Sequence, residues 1–85
     1  MTIFKKIIDK ELPADIVFEN DNILAFRDVN PQAPVHILII PKEEIATLND
    51  LNPAHQNLIG EMHLAAKDIA KSEGISENGY RVVFN

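Results

Sequence analysis

Cysteine is absent from this 85-residue sequence, and so is tryptophan. Without thiols, neither a disulfide nor a thiolate metal site can form within the chain. Glycine is scarce, with three residues at Gly60, Gly74 and Gly79. They are too dispersed to build a P-loop or a dinucleotide fingerprint, whose glycines let backbone approach a phosphate closely. Basic residues are outnumbered, 8 Lys and Arg against 13 Asp and Glu, for a formal net charge of −5. Nucleic-acid backbones are bound by clustered cations, so this balance argues against nucleic acid as the main partner. The pair Lys5-Lys6 is followed by Asp9, Glu11, Asp15 and Glu19, and reads as part of a solvated helix face. Long apolar runs are also missing. No stretch approaches the roughly eighteen residues that span a bilayer, and no leader-like apolar region follows Met1. The expectation is a soluble, cytoplasmic protein without a membrane partner.

What is present is ordinary for a globular chain, 46% hydrophobic and 25% charged. The length allows one small domain over residues 1–85, with a core that is marginal for want of buried area.

Periodicity divides the chain into elements. Ile3, Phe4, Ile7 and Ile8 recur at helical spacing, with Thr2 available as a cap, and predict a short helix ending near Leu12-Pro13. Ile16 to Glu19 is β-prone, Asn20-Asp21-Asn22 is a turn signal, and Ile23 to Arg27 is a second strand, which together predict a β-hairpin. After the loop from Asp28 to Pro34, Val35 to Ile40 predicts a strand stopped by Pro41. Both of its alternating faces are apolar apart from His36, the pattern of a strand covered on both sides or central in its sheet. Lys42 to Asp50 reads as irregular with room for a single turn.

Asn52-Pro53 predicts a helix start, with Asn capping and Pro at the first helical position. Leu58, Met62, Ala65 and Ile69 form one apolar stripe, and Gly74 supplies a left-handed stop. Tyr80 to Asn85 predicts a last strand. The sum is an α+β chain, a mostly antiparallel sheet with a short N-terminal helix and one long helix. Its core looks unfinished.

The chemistry-bearing residues are few. His55 and His63 stand eight positions apart on the predicted long helix, not the four of a helical metal pair, and read as surface residues. No metal site and no cofactor are expected. His36 lies in the most apolar strand and fits either a hydrogen-bonded core histidine or a functional group awaiting a partner. Asp28 fits two roles equally: a turn former bonding its own backbone, or an acceptor for a pair of ligand hydroxyls. Ser72 and Ser76 have no base near them in sequence. From the residues alone, the chain is a small α+β domain with a candidate ligand site.

One block carries more. Phe26-Arg27-Asp28-Val29-Asn30-Pro31-Gln32-Ala33-Pro34-Val35-His36-Ile37-Leu38-Ile39-Ile40-Pro41-Lys42 resembles the signature core of the Hint branch of the histidine-triad (HIT) superfamily. In that branch an Asp precedes a Pro-x-Ala-Pro loop and a His-containing apolar strand that ends in Pro-Lys. The opening Ile3-Phe4-Lys5-Lys6-Ile7-Ile8, the following Glu11-Leu12-Pro13-Ala14 and the terminal Gly79 to Asn85 are similar to the same branch. The resemblance covers essentially the whole chain.

It implies a HIT-like fold and a purine nucleotide, or nucleoside monophosphate, as partner. By resemblance, Ile3, Phe4, Ile7 and Phe26 line an apolar slot for the base, with Val29 at a position where an aliphatic residue is usual. Asp28 corresponds to the acceptor for the ribose hydroxyls, where an ionised oxygen makes the stronger bond. Asn85 corresponds to an asparagine on the phosphate side. His36 corresponds to a supporting histidine beside the triad, not to the nucleophile.

The chain departs from the family in one respect: it contains no His-x-His-x-His motif. In the family the motif follows that asparagine on a further strand, and its central histidine attacks the α-phosphorus to form a nucleotidyl-histidine intermediate. The expectations are therefore an incomplete HIT-like domain over 1–85, inactive as it stands, and a catalytic histidine beyond residue 85. The intact protein would be a hydrolase or transferase of purine nucleoside phosphoramidates or related nucleotide derivatives. The alternatives are a non-catalytic purine-nucleotide-binding module and a dimerisation module. The family also implies a homodimer, and an open strand edge at Tyr80 to Asn85 would suit one.

Overall fold

The computed structural model of the chain describes residues 3–84, in two compact units that divide between Glu44 and Ile45. Thr2 and Asn85, read above as a helix cap and as a phosphate-side residue, lie outside the described residues. No described helix is long and apolar enough to cross a membrane.

The first unit holds helix α1 (Ile3–Ile8) and strands β1 (Ile16–Glu19), β2 (Ile23–Arg27) and β3 (Ile37–Pro41). Helix α1 stops before the proline expected to end it. Lys10 takes a left-handed φ of 63°, and the Lys10 and Glu11 amides donate back to the Ile7 and Lys6 carbonyls at 3.1 and 2.8 Å. This is the Schellman arrangement, which satisfies two carbonyls that the helix leaves open.

The hairpin β1–β2 forms as its turn chemistry dictates. Asn20 Oδ1 accepts from the Asn22 and Ile23 amides at 2.8 and 2.9 Å, so the side chain itself closes the turn. The β1–β2 register shifts between Ile16 and Phe18, marking a bulge.

The sheet order is β1-β2-β3, antiparallel throughout, and the central strand is β2. Ile23, Leu24, Ala25 and Phe26 are all buried, so β2 is covered on both faces. Each large apolar side chain hidden there contributes roughly 1.5–3 kcal/mol. The expectation for Val35 to Ile40 is corrected on two counts. The strand begins at Ile37 and includes Pro41, and it forms an edge of the described sheet with every residue only half-buried. Proline lacks the N–H that an interior strand must donate, and an edge tolerates it. An apolar run reports hydrophobic surroundings, not the number of neighbouring strands.

The second unit opens on the single turn anticipated before Asp50, a 3₁₀ turn at Leu48–Asp50. Its Asp50 carboxylate accepts from the Thr47 hydroxyl and amide at 2.9 and 3.1 Å. A second 3₁₀ turn (Pro53–His55) leads into helix α2 (Gln56–Ser72). Asn52 caps this entry as anticipated, accepting from the Ala54 amide at 2.8 Å. Along the predicted stripe Ala65 is buried and Leu58, Met62 and Ile69 are half-buried. Gly74 (φ 77°) ends the helix in a second Schellman arrangement, with Gly74 and Ile75 donating to the Lys71 and Ala70 carbonyls.

The last strand is not formed over its described residues. Residues 80–84 are irregular and exposed. Their β-branched and aromatic composition favours a strand, but a strand exists only as part of a ladder, and none involves these residues among those described.

Candidate functional site

The β2–β3 ladder places the candidate residues. Its register pairs Ile23 with Pro41 and continues stepwise to Arg27 with Ile37. One step further, the Asp28 amide donates to the His36 carbonyl at 3.0 Å. Asp28 and His36 therefore stand opposite each other where the ladder opens into the proline loop. Directly opposed residues have neighbouring side chains, and here His36 Nε2 lies 3.4 Å from Asp28 Oδ2. His36 is thus not inside the strand, as the apolar run implied. It sits just before β3 and is half-buried.

Both candidate roles of Asp28 are compatible with this geometry. Its Oδ1 accepts from the Asn30 amide at 2.9 Å, the turn-forming bond. A carboxylate offers about four acceptor positions, so capacity remains for a ligand. On the other side of the imidazole, His36 Nδ1 accepts from the Gln32 amide at 2.9 Å. Gln32 Nε2 in turn donates to the Asn30 carbonyl at 3.2 Å. The loop between Asp28 and His36 is therefore held from within by side chains of its own two ends.

Phe26 lies two positions before Asp28, and alternation along a strand puts the two on one face of the sheet. Phe26 is 4% exposed. Against it rests Phe4 of α1, with ring centroids 6.4 Å apart and planes tilted by 47°. Ile7, one helical turn after Phe4, is half-buried, while Ile3 and Phe4 remain exposed. The structure thus brings Phe4 and Phe26 together, and Asp28 with His36. Val29 stands apart, 94% exposed on the loop.

The remaining histidines are engaged elsewhere. His55 Nδ1 accepts from the Asn52 amide at 3.1 Å, completing the cap at the start of the helical segment. His63 is exposed, with Nδ1 2.8 Å from the Ile59 carbonyl and its ring 5.5 Å from that of Phe84. Among the described residues, no group of three or more His, Asp or Glu side chains is gathered as a metal site would require.

Two features escaped the sequence reading. One is the Gln32 amide, whose role depends on the loop path and has no residue-type signal. The other is a charge cluster around Glu19, which accepts from Lys10 Nζ at 2.8 Å and Lys42 Nζ at 2.9 Å. Hydrogen bonds from Lys10, and then from Lys42, hold the Glu19 carboxyl below its ordinary pKa. The cluster ties the end of α1, the end of β1 and the residue after β3 together. The alternation of sign was readable in the sequence; the meeting of three distant positions was not.

The family model for the C-terminal binding region of the scavenger mRNA decapping enzyme matches residues 1–85. The chain is 52% identical over 84 residues to a purine nucleoside phosphoramidase of Escherichia coli K12, covering 99% of this chain and 71% of that protein. It is 49% identical over 86 residues to an adenylylsulfatase of Arabidopsis thaliana, covering 99% of this chain and 58% of that one. In three dimensions it superposes on a HIT family hydrolase from Legionella pneumophila with a TM-score of 0.97 and 54% identity, covering 100% of this chain and 76% of that structure. Family-model match, sequence identity and superposition agree with the motif block running from Phe26 to Lys42: the chain belongs to the histidine-triad superfamily.

Proposed function

We propose that these residues are the nucleoside-binding part of a HIT hydrolase acting on purine nucleoside phosphoramidates or related nucleotide derivatives. The reading is carried by the alternation that puts Phe26 of β2 and Asp28, one residue past its end, on one face of the sheet, with Phe4 set against Phe26. A purine is flat and apolar on its faces, and an aromatic side chain exposed beside a buried one offers it a stacking surface. The ribose follows the base along the strand, and the Asp28 carboxylate is an ionised acceptor at that distance along the chain. Ile3 and Ile7 of α1 supply apolar wall on the same side of the helix as Phe4. Val29 and Asn85 are assigned to the site by resemblance alone.

Within this proposal a histidine from outside residues 1–85 attacks the α-phosphorus and displaces the amine or other group bonded there, and water then cleaves the phosphorus–histidine bond to give the nucleoside monophosphate and the free histidine. His36, His55 and His63 each serve another bond in this chain, which supports that assignment. The two similar proteins named as a purine nucleoside phosphoramidase and an adenylylsulfatase both point to a nucleoside carrying a labile group on phosphorus. We place the domain boundaries at 1–85 for this part of the HIT-like domain. We further propose a homodimer through Tyr80, Val82, Val83 and Phe84, whose exposed apolar side chains favour burial against a second copy.

Titration of the chain with adenosine 5′-monophosphate, together with an ammonia-release assay on adenosine 5′-phosphoramidate, tests the reading. Micromolar to millimolar binding by these residues is expected, with turnover only in a polypeptide that also carries the His-x-His-x-His motif. Absence of nucleotide binding in either form would overturn it.

A further inference from the structure

We infer that His36 is a positioning residue for Asp28, a neutral imidazole strut that fixes the carboxylate plane for a ribose while bracing the proline loop. The inference rests on the reading of Asp28 as the hydroxyl acceptor and extends it to a residue that touches no substrate.

Hydrogen-bond roles determine the state of the ring. A backbone amide can only donate, so the 2.9 Å bond from Gln32 requires an unprotonated Nδ1 on His36. The neutral ring then carries its proton on Nε2. That nitrogen faces Asp28 Oδ2 at 3.4 Å, a long contact that places a donor toward a carboxylate oxygen. The other oxygen, Oδ1, is held by the Asn30 amide at 2.9 Å. Oδ1 thus has one hydrogen-bond partner, and Oδ2 has the Nε2 edge of the imidazole beside it at 3.4 Å. With about four acceptor positions in all, roughly one per oxygen remains, which suits two adjacent hydroxyls. A carboxylate held from both sides loses less freedom when it binds a ligand, and so discriminates better between ribose and a sugar missing a hydroxyl.

The backbone supports the same conclusion independently. The ladder bond from the Asp28 amide to the His36 carbonyl sets the two residues opposite each other whatever their side chains do. The imidazole therefore spans two structures that the backbone has already brought together: the carboxylate and the loop amide.

Two substitutions divide the imidazole into its halves. H36N places a side-chain oxygen near the position of Nδ1, keeping the acceptor for Gln32 but removing the donor toward Asp28. H36Q places an amide nitrogen near the position of Nε2, keeping that donor but removing the Gln32 acceptor. The ratio of affinities for adenosine 5′-monophosphate and its 2′-deoxy analogue is measured in each, with amide exchange at Gln32 as the structural readout. In H36N the ribose preference should fall about fivefold while the Gln32 amide stays protected. In H36Q the preference should stay within about twofold of the native value while the Gln32 amide exchanges faster. Long-range nitrogen–proton correlation on the native protein should find Nδ1 unprotonated in the neutral ring. Equal loss of preference in both variants, retention in both, or a proton on Nδ1 would overturn the role of His36 alone. A native protein that does not distinguish the two sugars would instead overturn the reading of Asp28 beneath it.

Discussion

Phe4 of α1 and Phe26 of β2 meet with ring centroids 6.4 Å apart and planes tilted by 47°. One ring is buried and the other is exposed, so the pair divides two tasks: Phe26 belongs to the packed sheet, and Phe4 turns an apolar surface outward. Tilted aromatic contacts of this kind contribute about 0.5–1.5 kcal/mol beyond burial. The short helix that carries Phe4 has no buried residue of its own among those described. Its position is set by side chains at its edges and by the Schellman turn that follows it.

Substitution of the two rings should therefore have different consequences. Phe26→Ala opens a cavity in the buried strand and should cost about 3–5 kcal/mol in urea denaturation. Phe4→Ala removes an exposed ring and should cost stability by no more than about 1.5 kcal/mol, yet weaken adenosine 5′-monophosphate binding several-fold. Equal stability losses for the two would contradict this division.

Asp28→Asn keeps an oxygen for the Asn30 amide but replaces the charged acceptor with a neutral one. The fold should survive, because the turn-forming bond survives, while affinity for the ribonucleotide drops about tenfold. Affinity for the 2′-deoxy analogue should drop less. Calorimetric titration of both ligands against native and variant protein measures the difference.

Glu19 gives stability a defined pH dependence. Its carboxyl titrates lower in the folded chain than in the unfolded one, because Lys10 and then Lys42 donate to the ionised form. The unfolded chain therefore binds the proton more readily. This contribution is present above the ordinary glutamate value and is lost as pH falls through the lowered one. The stability gap between native protein and Glu19→Gln should be present at neutral pH and close in acid. A gap that is constant from neutral pH to pH 3 would refute the assignment.

The long helix depends on its two ends. Asn52→Ala leaves the Ala54 amide without its cap and should cost about 1 kcal/mol. Gly74→Ala forces a side chain into a left-handed residue (φ 77°) and should cost about 1–2 kcal/mol. Thermal or urea unfolding of each variant checks both figures. Neither residue is among the candidate base, ribose or phosphate contacts, so neither change should alter nucleotide binding of the folded protein.

Some of this molecule was written in short stretches of chain. The Asn20 turn, the Asn52 cap and the Gly74 stop each form within a few residues, and their chemistry identified them. The motif block from Phe26 to Lys42 named the family for a similar reason, since it carries the end of β2, the loop and β3 in one run. The end of α1 was misplaced because Lys10, a residue with no marked left-handed preference, takes the position where glycine is usual.

Other features exist only through tertiary pairing. Asp28 and His36 become partners because the β2–β3 register places them opposite, and register is decided by the whole ladder. Glu19 gathers Lys10 and Lys42 across distances in sequence that no local rule spans. The same cause explains the expected strand at Tyr80 to Asn85, which is unformed over its described part, and the strand at Val35 to Ile40, expected to be covered on both sides or central, which forms an edge of the described sheet. Strand propensity is a property of residues, whereas a strand's neighbours are a property of the fold. Local residue chemistry was enough for the Asn20 turn, the Asn52 cap, the Gly74 stop and the family. Tertiary structure decided which side chains meet, because hydrogen bonds and ion pairs act over a few ångströms and only folding brings distant residues within that range.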